Sequence, residues 1–216
     1  MEDLGKAKYA LGIRIVQETD CISLLQDKFI NQIPEEFNLT NAKPMTAPLL
    51  GNIKYLRNPM EEQPPKVPFN YWWAIETPRS SHFKAVEHVF QYLIGTRSFT
   101  LKLGLNLLKN QETNILGFSD ADWGGTKEYK SFSGSLIYYF GTISWRSHKQ
   151  KVVALSSAEA EYNALTECSQ DLQWTRPLIY ETTQVQCRSI LHSDNQSAIP
   201  IASNHIYHHG TRHINF

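Results

Sequence analysis

Residues 116–123, Leu-Gly-Phe-Ser-Asp-Ala-Asp-Trp, constrain the chain more than any other stretch, because they alternate like a buried strand and deliver an acid at its end. Leu116 and Phe118 alternate with small or polar neighbours, and Gly124-Gly125 then breaks the run. Asp120 is therefore expected where a strand gives way to a loop. A short carboxylate there either caps the backbone by accepting nearby amides or joins other acids around a cation. The choice depends on what the rest of the chain brings to the same corner.

Downstream, Ser133 to Phe140 and Ile143 to Ser147 flank Gly141-Thr142, a hairpin signal rich in aromatic and β-branched residues. With residues 115–120 they predict a three-stranded antiparallel meander. A helix is expected after Ser156-Ser157, either of which can cap it. Glu159 and Glu161 lie about 200° apart around such a helix, so only one can face the sheet. Glu161 shares its face with Leu165, Cys168 and Leu172, whereas Glu159 shares its own with Asn163, Thr166 and Gln170. Glu161 is thus expected inward and Glu159 toward solvent. Ser189 to Asp194 reads as a second strand ending in an acid, and Asn195 to Ser203 as a short helix.

Meander, helix, strand, helix implies a crossover that lays the last strand beside the first in a mixed sheet. Asp120 and Asp194 then stand side by side, and Glu161 enters the same corner from the covering helix. Converging carboxylates suit hard divalent cations such as Mg²⁺. Two such ions about 3.5–4 Å apart stabilise the attacking and leaving oxygens of a phosphodiester displacement. A set of polar strand ends with a purely structural role is the alternative.

Upstream, residues 8–16 alternate as a strand through Tyr9, Leu11, Ile13 and Ile15, with Cys21 to Leu25 as its return. Residues 26–37 have helical spacing that Pro34 bends or stops. The prolines of Lys43 to Leu49 extend the chain, and residues 57–68 read as a linker. Residues 81–96 predict a packing helix closed by Gly95, with His82, Lys84 and His88 on its outer faces and both histidines solvated. Lysine plus arginine equals aspartate plus glutamate at 21 each, so any nucleic-acid contact must come from a local patch. No apolar run approaches the roughly 20 residues of a membrane helix. The start lacks a signal-peptide pattern, so an intracellular, non-secreted protein is expected, cytoplasmic or nuclear. Cys21, Cys168 and Cys187 make no disulfide or zinc pattern.

The residues also carry a family resemblance. Ser119-Asp120-Ala121-Asp122-Trp123, Lys130 to Gly134, Ile143 to Gln150, Ala154 to Tyr162 and Asp194 to Ala198 occur in the order seen in the ribonuclease H domain of Ty1/copia-type retrotransposon polyproteins. Tyr9 to Ile15 and Lys43 to Pro48 resemble the end of the copia-type reverse transcriptase, and Tyr92 to Thr96 the helix before ribonuclease H.

The resemblance implies an α/β chain: a small α+β reverse-transcriptase remnant over residues 1–56, a linker over 57–80, a connecting helix and strand over 81–110, and a ribonuclease H-like domain over 111–216. It makes Asp120, Glu161 and Asp194 three of four acids that bind two Mg²⁺ (or Mn²⁺) ions and hydrolyse the RNA strand of an RNA–DNA hybrid, leaving a 3′-hydroxyl. Asp122 is their neighbour, since the family's first acid aligns with Asp120. Trp145, Arg146, His148, Lys149 and Lys151 form the best phosphate-contacting patch, although lysines on a strand edge also guard against aggregation. Hybrid recognition would rest on backbone and 2′-hydroxyl contacts. The reverse-transcriptase Tyr-x-Asp-Asp motif is absent, so no polymerisation is expected. The family's longer helical segment is missing between Val67-Pro68-Phe69 and Tyr71-Trp72-Trp73. Its final strand and fourth acid would follow Phe216, which implies a C-terminally truncated domain and, as the rival function, an inactive or domesticated product that at most binds nucleic acid or a protein partner. Pro177 and Pro200 stand inside helix patterns, at about 3 kcal/mol each if interior. His205, His208, His209 and His213 match the family's basic segment more closely than a zinc site, lacking cysteine partners.

Overall fold

The computed structural model describes residues 5–49, 80–104, 114–125 and 128–203. The chain divides into two compact units, Met1–Glu18 with Ser23–Leu101 and Thr19–Ile22 with Lys102–Phe216. The described residues form a mixed α/β architecture with two four-stranded sheets. Linker residues 57–68, the 67–73 junction and the four C-terminal histidines lie outside the described residues.

In the first unit, β1 (Tyr9–Ala10) and β2 (Ile13–Gln17) pair antiparallel, with Ala10 opposite Ile13. The single strand expected over residues 8–16 is therefore two. It reverses at Leu11-Gly12, both at positive φ (51° and 79°), as the two-residue turns of tight hairpins require. Strand β3 (Cys21–Leu25) is the expected return. Two short helices follow, α1 (Asp27–Ile30) and α2 (Ile33–Glu36), with Pro34 in the first turn of α2, where a missing amide costs nothing. Helix α3 (Ser80–Gly95) ends as expected at a glycine. A Cβ at Gly95 would meet Pro44 Cβ at 3.0 Å and the Met45 carbonyl at 3.2 Å, so the proline-extended segment lies against the helix end. His88 corrects its reading: it is buried, and its Nε2 donates to the Ala47 carbonyl at 2.9 Å. A buried ring nitrogen must find a partner, and the extended segment supplies one.

Strand β4 (Leu101–Gly104) follows, and the second unit contains β5 (Asn114–Asp122), β6 (Phe132–Tyr138), β7 (Thr142–Lys149), α4 (Ser157–Thr183), β8 (Arg188–His192) and α5 (Ala198–Ser203). Strands β5, β6 and β7 form the antiparallel meander, and β8 returns beside β5 in parallel, giving the order β7-β6-β5-β8. Helix α4 supplies the crossover and covers one face, where Ile115, Ile137, Cys168, Leu172 and Ile179 make the core. A second cluster joins Tyr162, Leu165 and Ala198. The helix approaches closely over Gly117, where a Cβ would meet Leu172 Cδ1 at 2.7 Å and Cys168 Sγ at 3.1 Å. Burial in this layer pushes the Cys168 thiol up to about 11. Pro177 lies within α4, whereas Pro200 is the third residue of α5 and so not interior after all.

Candidate metal centre

Register explains why two acids meet. Phe118 of β5 is the parallel partner of His192 in β8, and their rings stack at 5.0 Å. Asp120 and Asp194 each lie two residues further along, so the chain delivers both to the same end of the sheet. Asp120 remains within β5, which runs to Asp122, rather than at its terminus. Glu161, in the second turn of α4, completes the group: a ligating oxygen from each of the three lies within 4.8 Å of the others. Asp122 stands outside it, and its carboxylate lies against Gly125.

The three environments differ. Asp120 and Asp194 are exposed, whereas Glu161 is buried and its Oε2 has no hydrogen-bond partner. Burial, first, raises the Glu161 carboxyl above its usual range; the Ala121 backbone amide opposes this, and the charges of Asp120 and Asp194 push it up further. A buried, unpartnered carboxylate oxygen facing two more carboxylates is unfavourable alone and fits a hard divalent cation, which takes oxygen donors.

Glu159 departs from expectation. It is buried rather than turned to solvent, and its Oε2 accepts the Leu155 amide at 2.8 Å. Ser156 caps the helix by accepting the Glu159 amide at 3.2 Å. Ser156-Ser157-Ala158-Glu159 has the S-x-x-E spacing of a capping box, a signal present in the sequence, although here the glutamate reaches one residue before the cap.

The five residues of the expected phosphate patch do not share one face. Arg146 bonds Asp171 at 3.1 Å and His148 bonds Glu167 at 3.0 Å, both toward α4. Trp145 and Lys149 alternate to the opposite side. Trp145 is 66% exposed, Lys149 reaches Glu128 at 2.6 Å, and Lys151 is exposed beyond the strand.

The chain is mixed α/β, with acids gathered where parallel strand ends meet a crossover helix, and such oxygen donors are the kind that hard cations take. The comparisons narrow the class. Residues 1–51 match the family described as reverse transcriptase (RNA-dependent DNA polymerase). The chain is 33% identical to the retrovirus-related Pol polyprotein from transposon TNT 1-94 of Nicotiana tabacum, across 99% of this chain and 18% of that protein. It is 28% identical to the Pol polyprotein from transposon RE1 of Arabidopsis thaliana, across 99% of this chain and 16% of that one. An uncharacterized mitochondrial protein of Arabidopsis thaliana is 27% identical, across 81% of each. No solved structure matches. Over nearly its whole length the chain is similar to Pol polyproteins of Ty1/copia-type retrotransposons, as a retrotransposon Pol fragment is, and it spans under a fifth of the length of the two polyproteins. No helix among the described residues is long and apolar enough to cross a membrane.

Proposed function

We propose that the second unit is ribonuclease H-like and hydrolyses the RNA strand of an RNA–DNA hybrid, with Asp120, Glu161 and Asp194 holding Mg²⁺ or Mn²⁺. The observation that carries this is the convergence of the three carboxylates within 4.8 Å around a buried, unpartnered Glu161 oxygen. When bound, a pair of such ions supplies charge stabilisation at the attacking and leaving oxygens. The chain's own residues hold and orient: Asp120 and Asp194 offer solvent-facing oxygens, and Glu161 anchors from the protein side. Trp145, Lys149 and Lys151 are the members of the sequence-derived patch left to meet nucleic acid, while Arg146 and His148 brace α4 against β7. The parallel β5–β8 pair and its crossover helix support the ribonuclease H-like reading.

A second reading is an inactive derivative that binds nucleic acid or a protein partner; the observation on its side is that this chain covers 81% of the uncharacterized mitochondrial protein, against under a fifth of the Pol polyproteins. Purified chain incubated with a labelled RNA–DNA hybrid separates the two. Cleavage with Mg²⁺ or Mn²⁺, blocked by EDTA and reduced about 10²-fold or more by Asp194→Asn, is the enzyme's result. An intact hybrid under every metal condition leaves the binding protein.

A further inference from the structure

Gln150 follows β7 and is only 2% exposed. Its Nε2 donates to Ser133 Oγ at 2.9 Å and to the Ala160 carbonyl at 2.9 Å, and its Oε1 accepts from Asn163 Nδ2 at 3.4 Å. Its own amide donates to the carbonyl of fully buried Ser131 at 2.8 Å, and Ser131 Oγ accepts the Gly124 amide at 3.1 Å. The Gln150 side-chain amide therefore ties the start of β6 to the first turns of α4, while its backbone amide reaches the loop after β5 through Ser131.

We infer that Gln150 is the positioning residue of the metal centre, fixing where α4 presents Glu161. This rests on the metal-binding reading above. Two contacts carry it. Ala160 O belongs to the peptide unit whose nitrogen is that of Glu161, so Gln150 grips the backbone adjoining the buried ligand. Ser133 is the strand partner of Ala121, whose amide interacts with the Glu161 carboxylate. Gln150 thus holds the helix peptide next to Glu161 and the strand opposite the amide that its carboxylate meets. Apolar packing tolerates small slides and rotations of a helix, whereas directional bonds to a specific carbonyl and a specific hydroxyl do not. Only an amide serves here, because the site needs two donated bonds and one accepted bond from one side chain.

The test is Mn²⁺ titration by calorimetry, with the melting temperature of each variant measured in EDTA. Gln150→Met is expected to lose about 10–100-fold in Mn²⁺ affinity, the usual cost of removing a group that orients a ligand. It also melts lower, because Ser133, Asn163 and Ala160 O lose partners. The triple variant Gln150→Met, Ser133→Ala, Asn163→Leu removes the stranded side-chain groups, and is expected to regain much of the melting temperature while its Mn²⁺ affinity stays low. Affinity that recovers with the melting temperature, or a Gln150→Met protein that binds Mn²⁺ like wild type, overturns the inference. Should Gln150→Met fail to fold, the triple variant alone decides. Asp194→Asn is the control: if it binds Mn²⁺ unchanged, the metal-binding reading falls and this inference with it; if it loses Mn²⁺ while the Gln150 variants keep it, only this inference falls.

Discussion

Helix α4 treats its acids in two ways. Toward the middle of the helix, Glu167 and Asp171 meet His148 and Arg146 from β7, and Ser135 adds a hydrogen bond to Asp171 at 3.4 Å. Near its start, Glu161 meets two more acids. The first arrangement is an ordinary solution for half-buried acids, Asp171 matched by the Arg146 cation and Glu167 by a hydrogen bond to His148. The second leaves like charges together, with no ion pair to any of the three among the described residues. Among the described residues, the fold thus pairs acids on one part of the helix and gathers like charge on another, which is the contrast on which the proposed cation site rests.

The largest test of this contrast is metal itself. Mg²⁺ at about one hundred times its Kd is expected to stabilise the folded protein by roughly 2.7 kcal/mol, read as a rise in melting temperature. Asp171→Asn and Glu167→Gln should retain that rise and Glu161→Gln should lose it; equal rises in all of them would erase the distinction. In EDTA the sign reverses. Glu161→Gln should be more stable than wild type by on the order of 1 kcal/mol at neutral pH, since it removes an uncompensated buried charge. Because the Glu161 carboxyl is raised in the folded state, the cost of its charge is fully present above the folded pKa and is relieved as pH falls through it. The stability difference between the two proteins should therefore shrink on acidification, and a widening gap would contradict the assigned environment. A smaller effect is expected at the matched acids: Arg146→Met should destabilise by about 0.5–1 kcal/mol, and a double-mutant cycle with Asp171→Asn should show coupling of that order. The smallest is Lys149→Ala, whose pair with Glu128 is largely exposed and should leave the denaturation midpoint unchanged within error.

The sequence made the acid cluster legible because its determinants are periodic. Strand alternation, helix spacing and the right-handed crossover rule together bring Asp120, Glu161 and Asp194 to one corner. Periodicity misleads where a second surface intrudes. Glu159 lies off the sheet-facing stripe, yet the preceding loop covers the first turn as well and gives it the Leu155 amide. At Leu11-Gly12 a two-residue turn preserves the alternation of its flanking strands, so period alone cannot see the reversal and only the glycine announces it. His88 is satisfied by a carbonyl 41 residues away, for which no local pattern exists. The split of Arg146 and His148 from Trp145 and Lys149 was available from strand parity, which a reading of the segment as one basic patch overlooks.

Gly117 has a bearing on chemistry that its own position does not suggest. The helix rests on the strand there with no room for a methyl group, since Leu172 would stand 2.7 Å from it and Cys168 Sγ 3.1 Å. A side chain there must push aside the Leu172 methyl or move the helix itself, and where the helix moves it acts as a lever with Glu161 seven residues, about 10 Å, beyond Cys168. A tilt that costs little in the core becomes a displacement at the carboxylate, where misplacement by about 1 Å is enough to cost a reaction on the order of a hundredfold. The smallest residue in the strand thereby sets a tolerance for the acid corner without touching it.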